Sequence, residues 1–227
     1  MNFLSLCQRL RLECVGVSGN GPVSVQGQTG DMLRVVNWVA SAYQDIQNLH
    51  TDWAFLHREF SFDTVAGQRT YGVATAIGDG LTIGDVGKWR EEGMKCYLTA
   101  DGSDTEIPIL VEPVWADFYD TYEYGPLKTQ QGRPDVAGIK PNRTLALWPT
   151  PDAVYTLTGQ YFRNPHVMVE NTDTPLFDER YHMLIVWRAL VFYAGHAAAP
   201  ETFAVGQQEH KRLLSMLRRD ELPAFSW

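Results

Sequence analysis

The sequence predicts an α+β fold in which the terminal helices form a bundle with an inserted β-rich unit of hairpins. Near both ends of the 227-residue chain, apolar residues recur every three or four positions, which is typical of helices with one buried face. In the middle, apolar and polar residues alternate between turn-forming clusters, which is typical of strands. The simplest arrangement packs the terminal helices together and inserts the strands between them.

The first helix is expected from Asn2 to Val15. Asn2 can cap its first turn, and the apolar stripe includes Leu10 and Cys14. The stretch Gly16–Gly30 is rich in Gly, Ser and Gln and has too little apolar surface to fold alone. We expect a long loop there that becomes ordered on contact with a neighbour.

The second helix is predicted from Asp31 to Leu56, with Thr29 or Asp31 as its cap and an apolar stripe that extends to His50 and Trp53. The period then changes to two. Two hairpins are predicted from alternating segments: Arg58–Asp63 with Arg69–Val73, and Lys95–Thr99 with Glu106–Leu110.

Turns and glycines separate these strands. Val65–Gln68 is the predicted turn of the first hairpin, and Asp101-Gly102-Ser103-Asp104 is a turn-prone tip for the second. The loop Gly78–Gly93, glycine-rich as far as Gly87, has no assigned role. A short aromatic-rich helix is expected within Pro113–Tyr124, and three further strands are predicted at Asp135–Ile139, Thr144–Trp148 and Val154–Phe162.

Two helices are predicted to end the fold, at Asp178–Ala198 and Glu201–Asp220, separated by Pro200. The first is apolar nearly all round its middle, so we expect it to be the most buried element. The predicted organisation has four parts: N-terminal helices of the bundle at 1–56, an inserted β-rich region at 57–165, C-terminal helices at 166–220 and an extended tail at 221–227.

The charge balance limits the class of function. Asp and Glu number 27 against 19 Lys and Arg, which gives a formal net charge of −8. A protein that gains its affinity by neutralising phosphates needs a basic surface, so a dedicated nucleic-acid binder is disfavoured. A pore that DNA only passes through is compatible, because an acidic wall repels the DNA backbone.

Cysteine and hydropathy patterns indicate a protein made in the cytoplasm. Cys7, Cys14 and Cys96 are too few and too scattered for a disulfide framework, and we interpret Cys7 and Cys14 as small buried residues. The N-terminus has no signal-peptide pattern, and no apolar run is long enough to cross a bilayer. We therefore expect no membrane contact.

No motif predicts an enzyme or a cofactor. The chain has no nucleophile elbow and no phosphate loop. His182, His196 and His210 lie fourteen residues apart, but Pro200 interrupts the helical pattern, and a metal site is disfavoured. Carboxylate groups such as Glu91-Glu92 are interpreted as solvated surface. We expect no catalytic residue, no metal and no cofactor.

Aromatic residues are the strongest local signal. They cluster in the β-rich region at Trp115, Phe118, Tyr119, Tyr122, Tyr124, Trp148, Tyr155, Tyr161 and Phe162. One interpretation is a core and a subunit interface, which we favour. The other is a sugar-stacking platform beside paired carboxylates, which is typical of a carbohydrate-binding or cell-wall-degrading tail protein.

Motifs in both halves of the chain carry a resemblance. They are Asp52-Trp53-Ala54-Phe55-Leu56, Phe60-Ser61-Phe62, Gly67-Gln68-Arg69-Thr70-Tyr71, Leu145-Ala146-Leu147-Trp148-Pro149-Thr150-Pro151-Asp152, Tyr161-Phe162-Arg163-Asn164-Pro165, Asp173-Thr174-Pro175 and Tyr181-His182. This layout resembles the head-to-tail adaptor, or connector, proteins of tailed bacteriophages, and is similar to the tail tubular A or gatekeeper-type ring below the portal. The pattern covers roughly two-thirds of the chain.

The resemblance implies a structural protein of the virion neck. It would form a dodecameric ring beneath the portal protein, through which double-stranded DNA passes and on which a downstream tail or nozzle protein assembles. It also makes the C-terminal tail a candidate for portal binding, with Leu222, Pro223, Ala224, Phe225 and Trp227 as the contact residues. A baseplate or tail-completion protein of the same virion is a third hypothesis.

Overall fold

The structure, a computed structural model, describes residues 1–14, 21–73 and 85–223. These residues contain six α-helices: α1 (Phe3–Glu13), α2 (Gly30–Asn48), α3 (Trp115–Tyr122), α4 (Gly125–Lys128), α5 (Met183–His196) and α6 (Pro200–Glu221). They also contain eleven strands: β1 (His57–Asp63), β2 (Thr70–Tyr71), β3 (Val86–Trp89), β4 (Lys95–Leu98), β5 (Ile107–Pro108), β6 (Leu110–Glu112), β7 (Gln131–Gly132), β8 (Val136–Ile139), β9 (Leu145–Trp148), β10 (Thr150–Pro151) and β11 (Tyr155–Arg163). The predicted α+β class is confirmed.

The chain divides into two compact units. Met1–Leu56 and Pro165–Trp227 belong to one, which we call the terminal unit. His57–Asn164 form the other, the central unit. The terminal unit contains α1, α2, α5 and α6, and the central unit contains the strands with α3 and α4.

Helix α5 is the most buried helix of the terminal unit and contacts α1, α2 and α6. Leu184, Ile185 and Val186 are completely buried. A helix that lacks a broad polar face must be covered on most sides to keep its apolar surface from water. None of the described helices is both long and apolar enough to span a membrane.

Two local features position the neighbours of α5. The Asn2 side chain accepts a hydrogen bond from the Ser5 amide at 2.9 Å, which confirms the predicted N-cap of α1. Gly206 allows α6 to approach α5 closely, because a Cβ atom there would lie 3.3 Å from the Trp187 carbonyl oxygen.

The second helix is shorter than predicted. Helix α2 ends at Asn48, and a 3-10 turn follows at Ala54–Leu56. The reason lies at Trp53, whose indole N–H donates to the Ile46 carbonyl at 3.2 Å while the ring is fully buried. This bond satisfies a carbonyl near the end of the helix. Because it also holds the buried Trp53 ring against the helix, the apolar pattern of the sequence extends past the last helical residue.

The central unit contains two sheets that share one core. The first has the order β1-β11-β4-β5, with β3 also paired to β11, and the second has the order β2-β9-β8-β6. The pair β6–β8 is parallel, and the other pairs in these two sheets are antiparallel. Buried side chains from both sheets form the core cluster, including Phe60, Phe62, Trp89, Val111, Leu145, Leu147 and Leu157, together with Met94 just before β4. Strands β7 and β10 form a separate parallel pair.

The first predicted hairpin is wrong. Its two strands lie in different sheets, since β1 pairs with β11 over His57–Asp63 and β2 pairs with β9. The predicted turn between them is present, with Gly67 at φ +79° and the Gln68 amide bonded to the Val65 carbonyl at 2.9 Å. A turn of this length redirects the chain, and the nine-residue β11 provides a better partner for β1 than the two-residue β2 does.

The second hairpin is confirmed. Strands β4 and β5 are antiparallel, with Cys96 opposite Ile107. The aromatic-rich helix is present as α3, and the three later predicted strands are β8, β9 and β11. The segment Gly78–Gly93 is described from residue 85 onward, where it contains β3.

Candidate interaction surfaces

The described residues include no group of three or more His, Cys, Asp or Glu side chains placed to hold a metal ion. Cys7, Cys14 and Cys96 are all buried and unbonded to one another. Burial raises the pKa of the thiols of Cys7 and Cys14 to about 12 and that of Cys96 to about 11. Thiols held in the protonated state are poor nucleophiles, so these cysteines serve packing.

The three regularly spaced histidines have different surroundings. His182 is buried, and its Nε2 atom lies 3.1 Å from the Phe177 carbonyl oxygen. The exposed His196 ring packs against Trp38, with ring centroids 5.6 Å apart. His210 is partly buried on α6, and burial lowers its pKa to about 4. The three imidazole rings therefore do not form a common metal site among the described residues.

A sugar-stacking platform requires aromatic faces that are open to solvent beside a pair of carboxylates. Tyr119 is exposed, but Trp115 and Trp148 are half-buried against Phe118 and Tyr122. Their faces are therefore unavailable as a continuous stacking platform.

These aromatic residues instead form a ladder that seats α3 on the second sheet. The rings of Trp115 and Phe118 stack with centroids 5.3 Å apart, and those of Tyr122 and Trp148 lie 4.5 Å apart. Phe118 is completely buried against β8 at Gly138, where a Cβ atom would come within 2.4 Å of its ring. We call α3, α4 and the underlying Trp148 the aromatic platform.

Arg69 fixes the outer end of the aromatic platform. Its guanidinium donates to the Tyr122 carbonyl at 2.9 Å and to the Lys128 carbonyl at 3.0 Å, and it lies 5.8 Å from the Phe118 ring centroid. These carbonyls belong to the last turns of α3 and α4, where backbone acceptors lack helical partners. The Trp148 indole N–H donates to Leu127 in the same way, at 2.9 Å.

The aromatic platform presents rigid apolar groups to solvent. Tyr119, on α3, is 56% exposed, and Tyr124, the residue that precedes α4, is 64% exposed. Exposed aromatic side chains held by a rigid support are typical anchors of protein interfaces. The aromatic cluster was foreseeable from the sequence, whereas its support by Arg69 was not, because Arg69 is more than forty residues away in the chain.

The candidate tail begins where α6 ends. Leu222 is extended and half-buried, Pro223 is exposed, and Ala224, Phe225 and Trp227 lie outside the described residues. The preceding turn is tied to the terminal unit, since the Tyr181 hydroxyl donates to Asp220. Pro223 cannot donate a backbone bond, which ends the helix at this point.

The second half of the loop Gly16–Gly30 makes hydrogen bonds with other residues of the terminal unit. The Val25 amide donates to the Asn171 side chain at 2.7 Å, and the Gln8 side chain donates to the Pro22 carbonyl at 3.1 Å. Bonds within the terminal unit therefore hold residues 21–29 in place, contrary to the expectation from composition. Residues 16–20 lie outside the described part.

A concave surface of the central unit brings positive charges together. The side chains of Lys88, Lys140 and Arg143 line a cleft of about 350 Å³ with Trp115 and Glu91. We call this the cationic cleft. Sequence reasoning missed it because β3 and the β8–β9 turn are about fifty residues apart and meet only in the folded unit.

Comparison with known families gives one finding across nearly the whole chain. The family model described as SU10 adaptor protein matches residues 1–224. No curated protein matches the sequence.

Proposed function

The chain belongs to the SU10 adaptor protein family, a family of phage head-to-tail adaptors, and we propose that it is a structural ring protein of the neck of a tailed phage. In this proposal copies of the chain form a ring, dodecameric by resemblance, beneath the portal protein. Double-stranded DNA passes through the ring, and a downstream tail or nozzle protein assembles on it. The family match carries the proposal because it spans both units.

Such a role depends on shaped surfaces and uses no reacting group. The three thiols are buried and held in the protonated state, which suits side chains that serve packing. The exposed aromatic platform provides a surface for a protein partner.

The acidic composition supports a passage for DNA. With a net charge of −8, the chain as a whole repels the phosphate backbone and gains little from counterion release. DNA that is repelled by its surroundings does not adhere to them during ejection. We therefore expect the isolated protein to bind duplex DNA weakly even at low salt.

The C-terminal tail is the proposed portal contact. Leu213, Leu214 and Leu217 are buried, so the last part of α6 is packed into the terminal unit. The backbone is extended at Leu222, where the tail begins. The sequence then provides Phe225 and Trp227, two residue types that dominate binding energy at protein interfaces.

Co-assembly with the portal protein of the same phage tests the proposed function. Purified protein and portal are mixed at increasing ratios, and sedimentation velocity follows the mass of the complex. We expect a saturable complex that contains several copies of the adaptor per portal. Failure to form a complex at any ratio would refute the role.

Substitution of the tail aromatics tests the portal contact. We expect Phe225→Ala combined with Trp227→Ala to weaken portal binding by about tenfold or more, because truncating buried interface aromatics typically costs 2 kcal/mol or more. Ser226→Ala is the matched control and should bind normally. Thermal unfolding should be the same for all three proteins, and unchanged portal binding by the double variant would refute this contact.

A further inference from the structure

We propose that neighbouring copies of the chain join head to tail, with an acidic hairpin tip of one copy seated in the cationic cleft of the next. This inference rests on the proposed function, since it describes how copies meet within the ring. The partner is a second copy of the chain, because both matching surfaces belong to its central unit.

The cationic cleft has a net positive charge. Lys88, Lys140 and Arg143 contribute three positive charges, and Glu91 contributes one negative charge. Lys88 has no ion-pair partner among the described residues, and the Lys140 ammonium lies 5.1 Å from the Trp115 ring centroid. A cleft with excess positive charge on an acidic protein is an attractive site for carboxylates.

The cleft is held in shape by its own backbone contacts. Arg143 has a left-handed backbone, with φ 65°, and its guanidinium donates to the Val86 carbonyl at 2.9 Å and to Asn164 at 3.0 Å. Its carbonyl accepts a bond from the Trp89 indole at 2.7 Å. These contacts tie the β8–β9 turn to β3, so the cleft needs little rearrangement to receive a ligand.

The acidic tip is the β4–β5 turn, residues 99–106. Asp101 and Asp104 are exposed at its end and have no ion-pair partner within the described part of the chain. Glu106 anchors the base of the turn through Lys95 and Thr158, both at 2.7 Å. The carboxylates of Asp101 and Asp104 therefore project from a stable base. Their negative charge is opposite in sign to the excess positive charge of the cleft.

The two surfaces lie at opposite ends of strand β11. Leu98, at the base of the tip, is opposite Tyr155, whereas Lys88 of the cleft is opposite Phe162. Seven residues of β11 separate these positions, which corresponds to roughly 23 Å. A tip cannot enter the cleft of its own copy at this distance. Complementary surfaces at opposite ends of one unit instead generate head-to-tail contacts, which close into a ring when the rotation between copies permits it.

Paired charge reversal tests the contact. One variant reverses the tip with Asp101→Lys and Asp104→Lys, and the other reverses the cleft with Lys88→Glu and Lys140→Glu. Each variant alone should associate on the portal more than about tenfold more weakly than the unmodified protein, because like charges then face each other. In an equimolar mixture every contact regains opposite charges if the two variants alternate, so assembly should recover.

The control for the net charge of the tip variant is Asp52→Lys with Glu170→Lys, two exposed residues of the terminal unit outside both surfaces. This variant should assemble normally. Normal assembly by either single reversal, or no recovery in the mixture, would overturn the contact while leaving the proposed function intact. If the unmodified protein itself does not assemble on the portal, the proposed function fails and this contact fails with it.

Engineered cysteines provide a second measurement that does not depend on charge. Lys88→Cys and Asp104→Cys in the same chain should give a ladder of disulfide-linked multimers when the assembled protein is oxidised. Each single substitution should give none, since the native thiols are buried and their pKa is raised. Dimers from a single substitution, or no ladder from the double one, would contradict the head-to-tail arrangement.

Discussion

The surroundings of His210 on α6 disfavour the protonated form of its imidazole ring. Its buried Nε2 atom has no hydrogen-bond partner among the described residues. Burial lowers its pKa to about 4, and the nearby Arg188 and Arg218 guanidiniums act in the same direction, while Asp45 opposes them. Arg188 itself pairs with Asp45 at 2.8 Å, which joins α5 to α2 next to the histidine.

This environment predicts a loss of stability in mild acid. Between pH 6.5 and 4 the unfolded chain binds a proton at residue 210 while the folded chain does not, so stability falls as the pH is lowered. The contribution of His210 to this loss should reach about 2 kcal/mol at pH 4, after allowance for its partial exposure. Chemical denaturation at pH 7 and pH 4 measures it.

Substitution of His210 separates its contribution to the pH dependence of stability from the contributions of other groups. His210→Gln should reduce the difference in unfolding free energy between the two pH values, and the exposed His196→Gln should leave it unchanged. Part of the loss should remain in the first variant, because burial also lowers the pKa of His182. An identical pH dependence in His210→Gln would show that the histidine is not the cause.

At the level of elements, the seat of α3 on β8 depends on one glycine. Gly138 faces Phe118 so closely that any side chain would collide with the ring at 2.4 Å. The aromatic platform therefore requires a glycine at position 138 of β8, because the Phe118 ring occupies the space that a side chain would need.

Gly138→Ala tests this seat. The added methyl group should force Phe118 out of position and destabilise the central unit by about 1–3 kcal/mol, a typical cost of overpacking. Gly195→Ala is the matched control, since no atom lies within 4 Å of its Cβ position, and it should be neutral or slightly stabilising. Thermal unfolding compares the two, and equal melting temperatures would contradict the described packing.

Elements defined by local signals were predictable from the sequence. The Asn2 cap, the apolar helix α5 and the hairpin with the tip Asp101–Asp104 follow from composition and period alone. Elements defined by distant partners were not. Strand β1 pairs with β11 and not with β2, its neighbour in the sequence. Helix α2 ends near the carbonyl of its last turn that accepts a hydrogen bond from the Trp53 indole.

The same distinction applies to the surfaces. An aromatic cluster between residues 113 and 124 is visible in the sequence because most of its members lie on one short helix. The cationic cleft is not visible, because Lys88 and Arg143 meet through the left-handed turn at Arg143 and its bonds to β3. The tail aromatics Phe225 and Trp227 were proposed from sequence and remain a proposal.

On the scale of the whole molecule, two units with unlike surfaces suit a protein that joins unlike partners. The terminal unit ends in the tail proposed to bind the portal, and the central unit has the aromatic platform, the acidic tip and the cationic cleft. Contacts between copies and contacts with partners can then form on separate surfaces, so that assembly on the portal and addition of the tail do not compete.

The weak affinity for DNA is a property of the whole charge distribution. We expect the isolated protein to cause no shift of duplex DNA in a gel at protein concentrations up to about 1 µM and 50 mM salt, because an excess of carboxylates opposes binding. A basic phage DNA-binding protein is the positive control. Tight, salt-dependent retention of DNA would contradict the idea of a passage that does not hold its cargo.

Electron microscopy of the complex with the portal protein is the decisive test of the proposed ring. We expect a closed ring of adaptor copies on one end of the portal, with an open central channel. A single adaptor copy on each portal, or portal particles with no adaptor attached, would contradict it.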